Sequence, residues 1–169
     1  MIIRQANEQD FVNIYDLIKC AFQTAEVSDG NEQNFVNELR ARTTYLPKLE
    51  FVAEIDNKLV GHIMFSKQAV NLTKGELNAL MLAPLCVDGN YRNKQIGTKL
   101  VQYGLAKAKD LGYNAVFLIG NPAYYERFDF KQINNWQLQN SSGVPDEFVL
   151  GKELVVNCLN KIKGNINLH

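Results

Sequence analysis

Three basic side chains lie close together in the stretch YRNKQIGTKLV, residues 91–101. They are Arg92, Lys94 and Lys99, and apolar residues at helical spacing begin among them, at Ile96. The first turn of a helix leaves backbone N–H groups unpaired and carries about half a positive charge, so a phosphate there gains hydrogen bonds and dipole energy together. The pattern fits a pyrophosphate site, and it fits equally a solvated basic turn before a surface helix.

Gly97 is the only glycine of this stretch. A dinucleotide-binding fingerprint needs three glycines directly after a strand, and the P-loop of NTP-binding proteins ends in Gly-Lys-Ser/Thr. Neither pattern is present, so the spacing argues against both of these nucleotide sites.

The elements that must position this stretch can be predicted from hydrophobic periodicity. We expect strands over 2–6, 51–55, 59–70, 78–87 and 115–120, helices over 11–22, around 35–39 and over 96–111, a loop around Pro47, a short helix at Pro122, and short strands at 136–138 and 154–156. Gly112 stands where a left-handed helix cap would lie. Pro84 interrupts the 78–87 strand, because proline removes a ladder donor. This order predicts an α/β or α+β fold, with a mixed sheet and helices packed on its faces.

Composition restricts the class of protein. The 169 residues are 46% apolar and 21% charged, with 18 basic and 18 acidic side chains. We therefore expect one globular domain over 1–169, and no general field that would attract nucleic acid or an anionic membrane. The start MIIRQANEQD lacks the features of a signal peptide and no run of 18 apolar residues occurs, so a cytoplasmic location is expected. Cys20, Cys86 and Cys158 are far apart in apolar patterns, and we assign them neither a metal nor a disulfide.

Two motifs carry a resemblance to a known family. LCVDGNYRNKQIGTKLV resembles the acyl-CoA-binding motif of the GNAT superfamily of N-acetyltransferases, which reads Arg or Gln, two residues, Gly, one residue, then Gly or Ala. Arg92 takes the first place and Gly97 the last, whereas Gln95 stands where the family usually has its first glycine. Glycine is needed at that place only if φ is positive or a side chain would clash with the phosphates.

The second motif is NPAYYERFDF. It resembles the family's tyrosine followed five residues later by phenylalanine, here Tyr125 and Phe130, and is similar to a bacterial subgroup of predicted acetyltransferases with the pattern Pro-x-Tyr-Tyr-x-Arg-Phe-x-Phe. Asp129 replaces the glycine that often precedes the last phenylalanine.

The resemblance implies a mixed, mostly antiparallel sheet with helices on both faces, whose fourth and fifth strands splay apart to admit the pantetheine arm. Acetyl-CoA is then the cosubstrate. The implied cofactor-binding residues are Leu85, Cys86, Val87, Arg92, Asn93, Lys94, Gln95, Ile96, Gly97, Thr98, Lys99 and Asn121. Backbone N–H groups at the helix start would hold the pyrophosphate, and those at 85–87 would polarise the thioester carbonyl.

The implied reaction is direct attack of a neutral amine on the thioester, with Tyr125 as the hydrogen-bond donor to the departing thiolate. Tyr125 could also be an ordinary core tyrosine. Candidate bases are Glu54, His62, Glu26 and Glu32, but a packed histidine and a solvated strand carboxylate are equally simple interpretations, and a water relay needs no side chain.

Three functions remain open at this point. The first is an N-acetyltransferase for a small-molecule or protein amine, acting as a monomer or a homodimer. The second is a non-catalytic acyl-CoA-binding or sensing module. The third is a globular domain whose basic turn is only surface. The sequence does not name the amine, whose pocket we expect residues 23–50 and 134–150 to line.

Overall fold

The computed structural model describes residues 1–24 and 29–169. Its helices and strands, in chain order, are β1 (Ile2–Gln5), α1 (Phe11–Phe22), α2 (Glu32–Arg40), β2 (Tyr45–Ile55), β3 (Lys58–Gln68), β4 (Val70–Leu72), β5 (Ala79–Val87), α3 (Ile96–Asp110), β6 (Ala115–Ile119), α4 (Pro122–Tyr125), β7 (Lys131–Gln132), β8 (Gln137–Asn140), β9 (Val149–Glu153) and β10 (Lys163–Ile166). Most recorded strand pairs are antiparallel, so the predicted mixed, mostly antiparallel fold is confirmed.

Contacts group the described residues into two compact units. The first unit holds residues 1–66 and 83–107, and the second holds 67–82 and 108–169. Strand β5 contributes to both, with 79–82 in the second unit and 83–87 in the first. The assignment of the whole chain to one domain stays a prediction.

In the first unit, β1 pairs antiparallel with β2, and β2 pairs antiparallel with β3. Helix α3 packs on one face of these strands. A Cβ at Gly61 would come within 2.8 Å of Leu100 Cδ1, and the Phe51 ring meets Tyr103 edge-on at 5.1 Å. Because neighbouring strand residues point to opposite faces, Glu50 lies on the other face, where α2 reaches it. Helices therefore cover both faces of these strands, as predicted.

In the second unit, β6 pairs in parallel with β5 and antiparallel with β9, which also pairs with β7. The β5–β6 register covers only Ala79↔Ala115 to Met81↔Phe117 and stops before Pro84. A second sheet has the order β4-β10-β8. Gly164 in β10 lies so close to Asn71 that a Cβ would meet its carbonyl oxygen at 2.0 Å, so only glycine fits there.

Two sequence predictions are wrong. Pro47 lies inside β2 and not in a loop; the register of β2 with β3 shifts between Tyr45 and Glu50, which accommodates the missing N–H. The expected strand at 154–156 is a turn, since the N–H groups of Leu154 and Val155 both donate to Asn114 O. The strand there is β9, which ends at Glu153, and Val156 is 83% exposed.

None of the helices in the described ranges has the length and apolar character needed to cross a bilayer. Within the same ranges, no three or more His, Cys, Asp or Glu side chains are grouped so that they could hold a metal ion.

Candidate functional site

The start of α3 presents unpaired backbone donors. Lys99 N–H donates to Gln95 O at 3.0 Å, and this bond closes the first turn of the helix. Across the described part of the chain, the N–H groups of Ile96, Gly97 and Thr98 donate to no protein acceptor. A helix start with free donors is the arrangement that binds a phosphate oxygen.

The loop before α3 bends back on itself through left-handed residues. Asn93 and Gln95 both have φ of 61°, with Lys94 between them. Left-handed residues in a tight turn direct nearby N–H groups toward one side, which is one way that backbone concavities for anions are made. The loop geometry and the helix start therefore favour the same kind of ligand.

The basic side chains of this segment do not all point to one place. Lys94 and Lys99 are exposed, and Lys94 Nζ lies 5.0 Å from the centre of the Tyr91 ring. Arg92 instead donates from Nη2 to Ala21 O at 2.8 Å, so its guanidinium holds a carbonyl of the last turn of α1. The predicted role of Arg92 in cofactor binding stays a prediction, and this bond favours an indirect one.

Gln95 occupies a position that favours glycine. A left-handed conformation costs a residue with a Cβ about 1–2 kcal/mol, whereas glycine adopts it freely. Glycine is needed here only if φ is positive or a side chain would clash with the phosphates, and the φ of Gln95 is positive in the structure.

We expect Gln95→Gly to raise the free energy of unfolding by about 0.5–1 kcal/mol, because relief of the left-handed strain exceeds the entropy that glycine adds to the unfolded chain. Thermal unfolding should show an increase of roughly 1–4 °C. Asn93→Gly is the matched control, and its gain should be smaller because asparagine tolerates this conformation. A lower melting temperature for Gln95→Gly than for the control would contradict the strain argument.

The predicted oxyanion donors lie at the end of β5. Leu85 and Val87 are half-buried and alternate with Cys86, which is buried. Burial raises the pKa of the Cys86 thiol to about 12, so it stays protonated and unreactive at neutral pH. The N–H of Asp88, next along the chain, donates to Val60 O at 2.9 Å. The donor role of 85–87 stays a prediction.

In the second unit, the other motif forms a short helix with an aromatic cluster. Asn121 caps α4 by accepting the N–H of Ala123 at 2.9 Å. The ring of Tyr125 packs against Tyr124 at 4.9 Å and Phe130 at 5.6 Å between centroids. Asp129 has φ of 62°, so it also stands at a left-handed position where the family often has glycine.

The hydroxyl of Tyr125 makes no hydrogen bond to any described residue. Burial raises the pKa of this phenol above its ordinary value, so it remains protonated throughout the neutral and mildly alkaline range. Chemically, Tyr125 can donate a hydrogen bond or a proton, and it cannot serve as a base near pH 7.

The candidate bases are committed to internal partners or lie outside the described residues. Glu54 accepts a 2.9 Å hydrogen bond from Arg4, which also pairs with Asp10. His62 is completely buried. Glu32 stands in the first turn of α2 and accepts the N–H of Asp29. Glu26 lies outside the described residues.

His62 belongs to a buried polar cluster that the sequence reasoning missed. Glu50 is also fully buried, accepting from His62 Nε2 at 2.9 Å, from Tyr45 Oη at 2.6 Å and from Arg40. Arg40 stacks on the Phe11 ring at 3.7 Å. We define these hydrogen-bonded side chains, Arg40, Tyr45, Glu50 and His62, as the Glu50 cluster. Because the sequence predicts a loop around Pro47, Glu50 was not recognised as a strand residue on the same face as Val52, and its burial was not predicted.

Charge in the Glu50 cluster follows from burial and pairing. Burial opposes ionisation of Glu50, but hydrogen bonds from His62 and Arg40 outweigh it and lower the pKa of Glu50 to about 2. Burial lowers the pKa of His62, so the imidazole is neutral and donates from Nε2, while its Nδ1 meets no hydrogen-bond partner among the described residues. A neutral, enclosed histidine fits a structural role better than that of a base for an incoming substrate.

A cleft of about 560 Å³ opens in the first unit beside the segment that leads to α3. It lies between the outer face of α1, the β2–β3 turn and residues 88–90, where Lys58 pairs with Asp88 at 2.8 Å. None of the residues predicted to bind the cofactor lines it.

Comparison with known proteins identifies relatives along the whole chain. Residues 2–133 match the family model described as an acetyltransferase (GNAT) domain. YhbS of Escherichia coli strain K12, an uncharacterized N-acetyltransferase, is 29% identical over 170 residues, which cover 100% of this chain and 96% of YhbS.

Two solved structures resemble the fold closely. The crystal structure of YhbS from Escherichia coli in complex with CoA has a TM-score of 0.87 and 28% identity, covering 99% of this chain and 89% of that one. A GNAT family acetyltransferase from Brucella melitensis in complex with acetyl-CoA has a TM-score of 0.80 and 27% identity, covering 99% and 95%.

Proposed function

We infer, because this chain belongs to the GNAT family of acetyltransferases, that acetyl-CoA is its cosubstrate and that an amine accepts the acetyl group. The observation that carries this proposal is the start of α3, where three N–H groups that have no acceptor among the described residues follow a loop with two left-handed residues. This segment resembles the acyl-CoA-binding motif of the family, and Lys94 and Lys99 add positive charge beside it. The complexes of two similar proteins with CoA and acetyl-CoA support the same ligand.

The pyrophosphate would be held chiefly by the backbone of Ile96, Gly97 and Thr98. Backbone donors need no particular side chain, which explains how Gln95 can replace a glycine at the cost of strain without loss of the donor set. Lys94 and Lys99 would contribute long-range attraction that weakens with salt. Asn121, whose side chain caps α4, would act through its position at the start of that helix.

The proposed reaction is direct attack of the amine nitrogen on the thioester carbonyl: the C–N bond forms, the C–S bond breaks, CoA leaves as a thiolate, and the nitrogen gives its extra proton to water or to that thiolate. The amine must first lose a proton. A lysine-type amine of pKa about 10.4 is neutral in roughly one molecule in 2,500 at pH 7, whereas an α-amine near pKa 8 is neutral in about a tenth. An α-amine or another weakly basic amine therefore needs much less assistance from a base.

Tyr125 would donate its hydroxyl hydrogen to the sulfur as negative charge develops there. Its phenol is protonated at neutral pH and has no described protein acceptor, so it is available as a donor. A phenol near pKa 10 would transfer its proton uphill to a thiolate whose thiol has a pKa near 8.5, and the raised pKa of Tyr125 increases that gap. Tyr125 therefore acts as a hydrogen-bond donor more than as a full proton donor.

A non-catalytic acyl-CoA-binding module is the second candidate. It is favoured because Glu54 and His62, the candidate bases on neighbouring strands, both bond to other side chains of the protein and so are less available to take a proton from an amine. Sustained release of CoA in the presence of an amine would exclude it, since a binding module turns over no substrate.

The proposed cosubstrate can be tested by thermal unfolding with acetyl-CoA, dephospho-CoA and adenosine diphosphate. Acetyl-CoA at 100 times its Kd should add about 2.7 kcal/mol of stability, or roughly 5–10 °C. Adenosine diphosphate should produce a smaller shift because it lacks the pantetheine arm. If acetyl-CoA at millimolar concentration produces no shift, residues 92–99 are not a pyrophosphate site and the proposal fails.

A further inference from the structure

Gly120 separates the end of β6 from the cap of α4, and its backbone does not itself need glycine. Its φ lies outside the left-handed region, and its N–H donates to Phe148 O at 2.9 Å, a bond that alanine would keep. The reason for glycine at this position must therefore be the space that a side chain would take.

That space is filled by the ring of Tyr125. A Cβ at Gly120 would lie 2.6 Å from Tyr125 Cε2 and 3.1 Å from Cδ2, and 3.0 Å from Leu118 Cδ1. Carbon atoms pack best at about 3.5–4.0 Å, so the ring would have to move by about 1 Å to admit a methyl group.

The ring has little freedom to move without disturbing its neighbours. Tyr124 meets it edge-on at 84° with the centroids 4.9 Å apart, and Phe130 meets it at 70° and 5.6 Å. Phe128 lies 6.4 Å away. A group added at Gly120 would push the ring toward this cluster and carry the hydroxyl with it.

We propose that Gly120 is a positioning residue whose bare Cα sets the place of the Tyr125 ring, and with it the direction of the hydroxyl. This inference rests on the proposed donor role of Tyr125. A displacement of about 1 Å at a reacting group can cost up to about 100-fold in rate, so a single methyl group here should lower turnover in addition to any loss of stability.

The test is a double-mutant cycle of Gly120→Ala and Tyr125→Phe, with CoA as the probe. A hydrogen bond from Tyr125 favours the thiolate form of CoA, which dominates at about pH 9.5 and is scarce at about pH 7. Tyr125→Phe should therefore weaken CoA binding about 10-fold more at pH 9.5 than at pH 7, as judged by the Kd of the variant divided by that of the wild type. Gly120→Ala should show the same pH-dependent loss. In the Tyr125→Phe background, Gly120→Ala should cause no further loss of CoA affinity, because the hydroxyl that Gly120 positions is already absent. Calorimetric titration with CoA needs no knowledge of the amine.

Turnover supplies a second readout, with the best acceptor from a panel of an α-amino peptide, a lysine peptide and a polyamine. Gly120→Ala should lower kcat about 10-fold and leave the KM for acetyl-CoA within about twofold. Gly151→Ala is the matched control, because its added Cβ would also press on an aromatic ring of the second unit, at 2.9 Å from Phe117 Cε1. That variant should lower the melting temperature without changing the pH dependence of CoA binding.

The outcomes distinguish the positioning role of Gly120 from the donor role of Tyr125. If Tyr125→Phe changes the pH dependence of CoA binding and Gly120→Ala does not, the positioning role is wrong and the donor role stands. Equal losses from Gly120→Ala in both backgrounds would also overturn the positioning role. If Tyr125→Phe itself has no effect, the donor role is wrong and the inference falls with it.

Discussion

Replacing Tyr125 with phenylalanine should lower kcat about 100-fold while leaving the KM for acetyl-CoA nearly unchanged. A positioned donor contributes about 10²–10⁴-fold to such reactions. Phenylalanine keeps the ring that packs between Tyr124 and Phe130, so the loss is confined to the hydroxyl. Steady-state measurement of CoA release would give both constants.

Tyr124→Phe is the control for this prediction, because it removes a neighbouring hydroxyl from the same aromatic cluster. Its kcat should stay within about threefold of the wild-type value. The raised pKa of Tyr125 also predicts that this phenol causes no loss of rate up to about pH 10, because burial keeps it protonated. Unchanged turnover in Tyr125→Phe would remove the donor role.

Glu50→Gln should destabilise the protein by about 3–5 kcal/mol, on the order of 10 °C in melting temperature. The substitution removes the carboxylate that neutralises Arg40, whose side chain is only 8% exposed. A buried cation without its partner loses its attraction and keeps the cost of its burial. Denaturant unfolding of the two proteins would give the difference directly.

Glu54→Gln is the matched control, since both carboxylates lie on β2 and both pair with an arginine. Arg4 keeps Asp10 as a partner when Glu54 is neutralised, and it is about a third exposed, so the cost should be below about 1 kcal/mol. A cost for Glu50→Gln as small as that of the control would show that the Glu50 cluster does not depend on an ionised carboxylate.

The Glu50 cluster also predicts how stability depends on pH. The pKa of Glu50 is lower in the folded protein than its ordinary value of 4.5, so its contribution is present above that pH and is lost as the pH falls toward about 2. Burial lowers the pKa of His62 from 6.5, so the unfolded chain binds the extra proton first and stability begins to decline below about pH 6.5. Both groups act in the same direction, and melting temperatures measured from pH 8 to pH 4 should fall steadily below pH 6.5.

Several elements could be predicted from the sequence because their signals are local. The helical period over 96–111 predicted α3, which spans Ile96–Asp110, and Gly112 caps it with φ of 85°. Pro122 begins α4 as expected, because its fixed φ acts within one turn. The strand at 149–153 was missed because Gly151, Lys152 and Glu153 weaken the apolar pattern that identifies strands.

The sequence by itself determined helix α3, the start of α4, the family and the position of the loop before α3, since each depends on residues within a few places of one another. Only the tertiary structure decided which side chains meet. Arg92 bonds to Ala21, 71 residues away, and Glu50 gathers partners from α2, β2 and β3. The reason for glycine at position 120 is visible only in the folded chain, where the Tyr125 ring occupies the space that a side chain would take. A pattern along the chain records propensity, whereas the partner of a buried charge or ring depends on distances that exist only after the chain has folded.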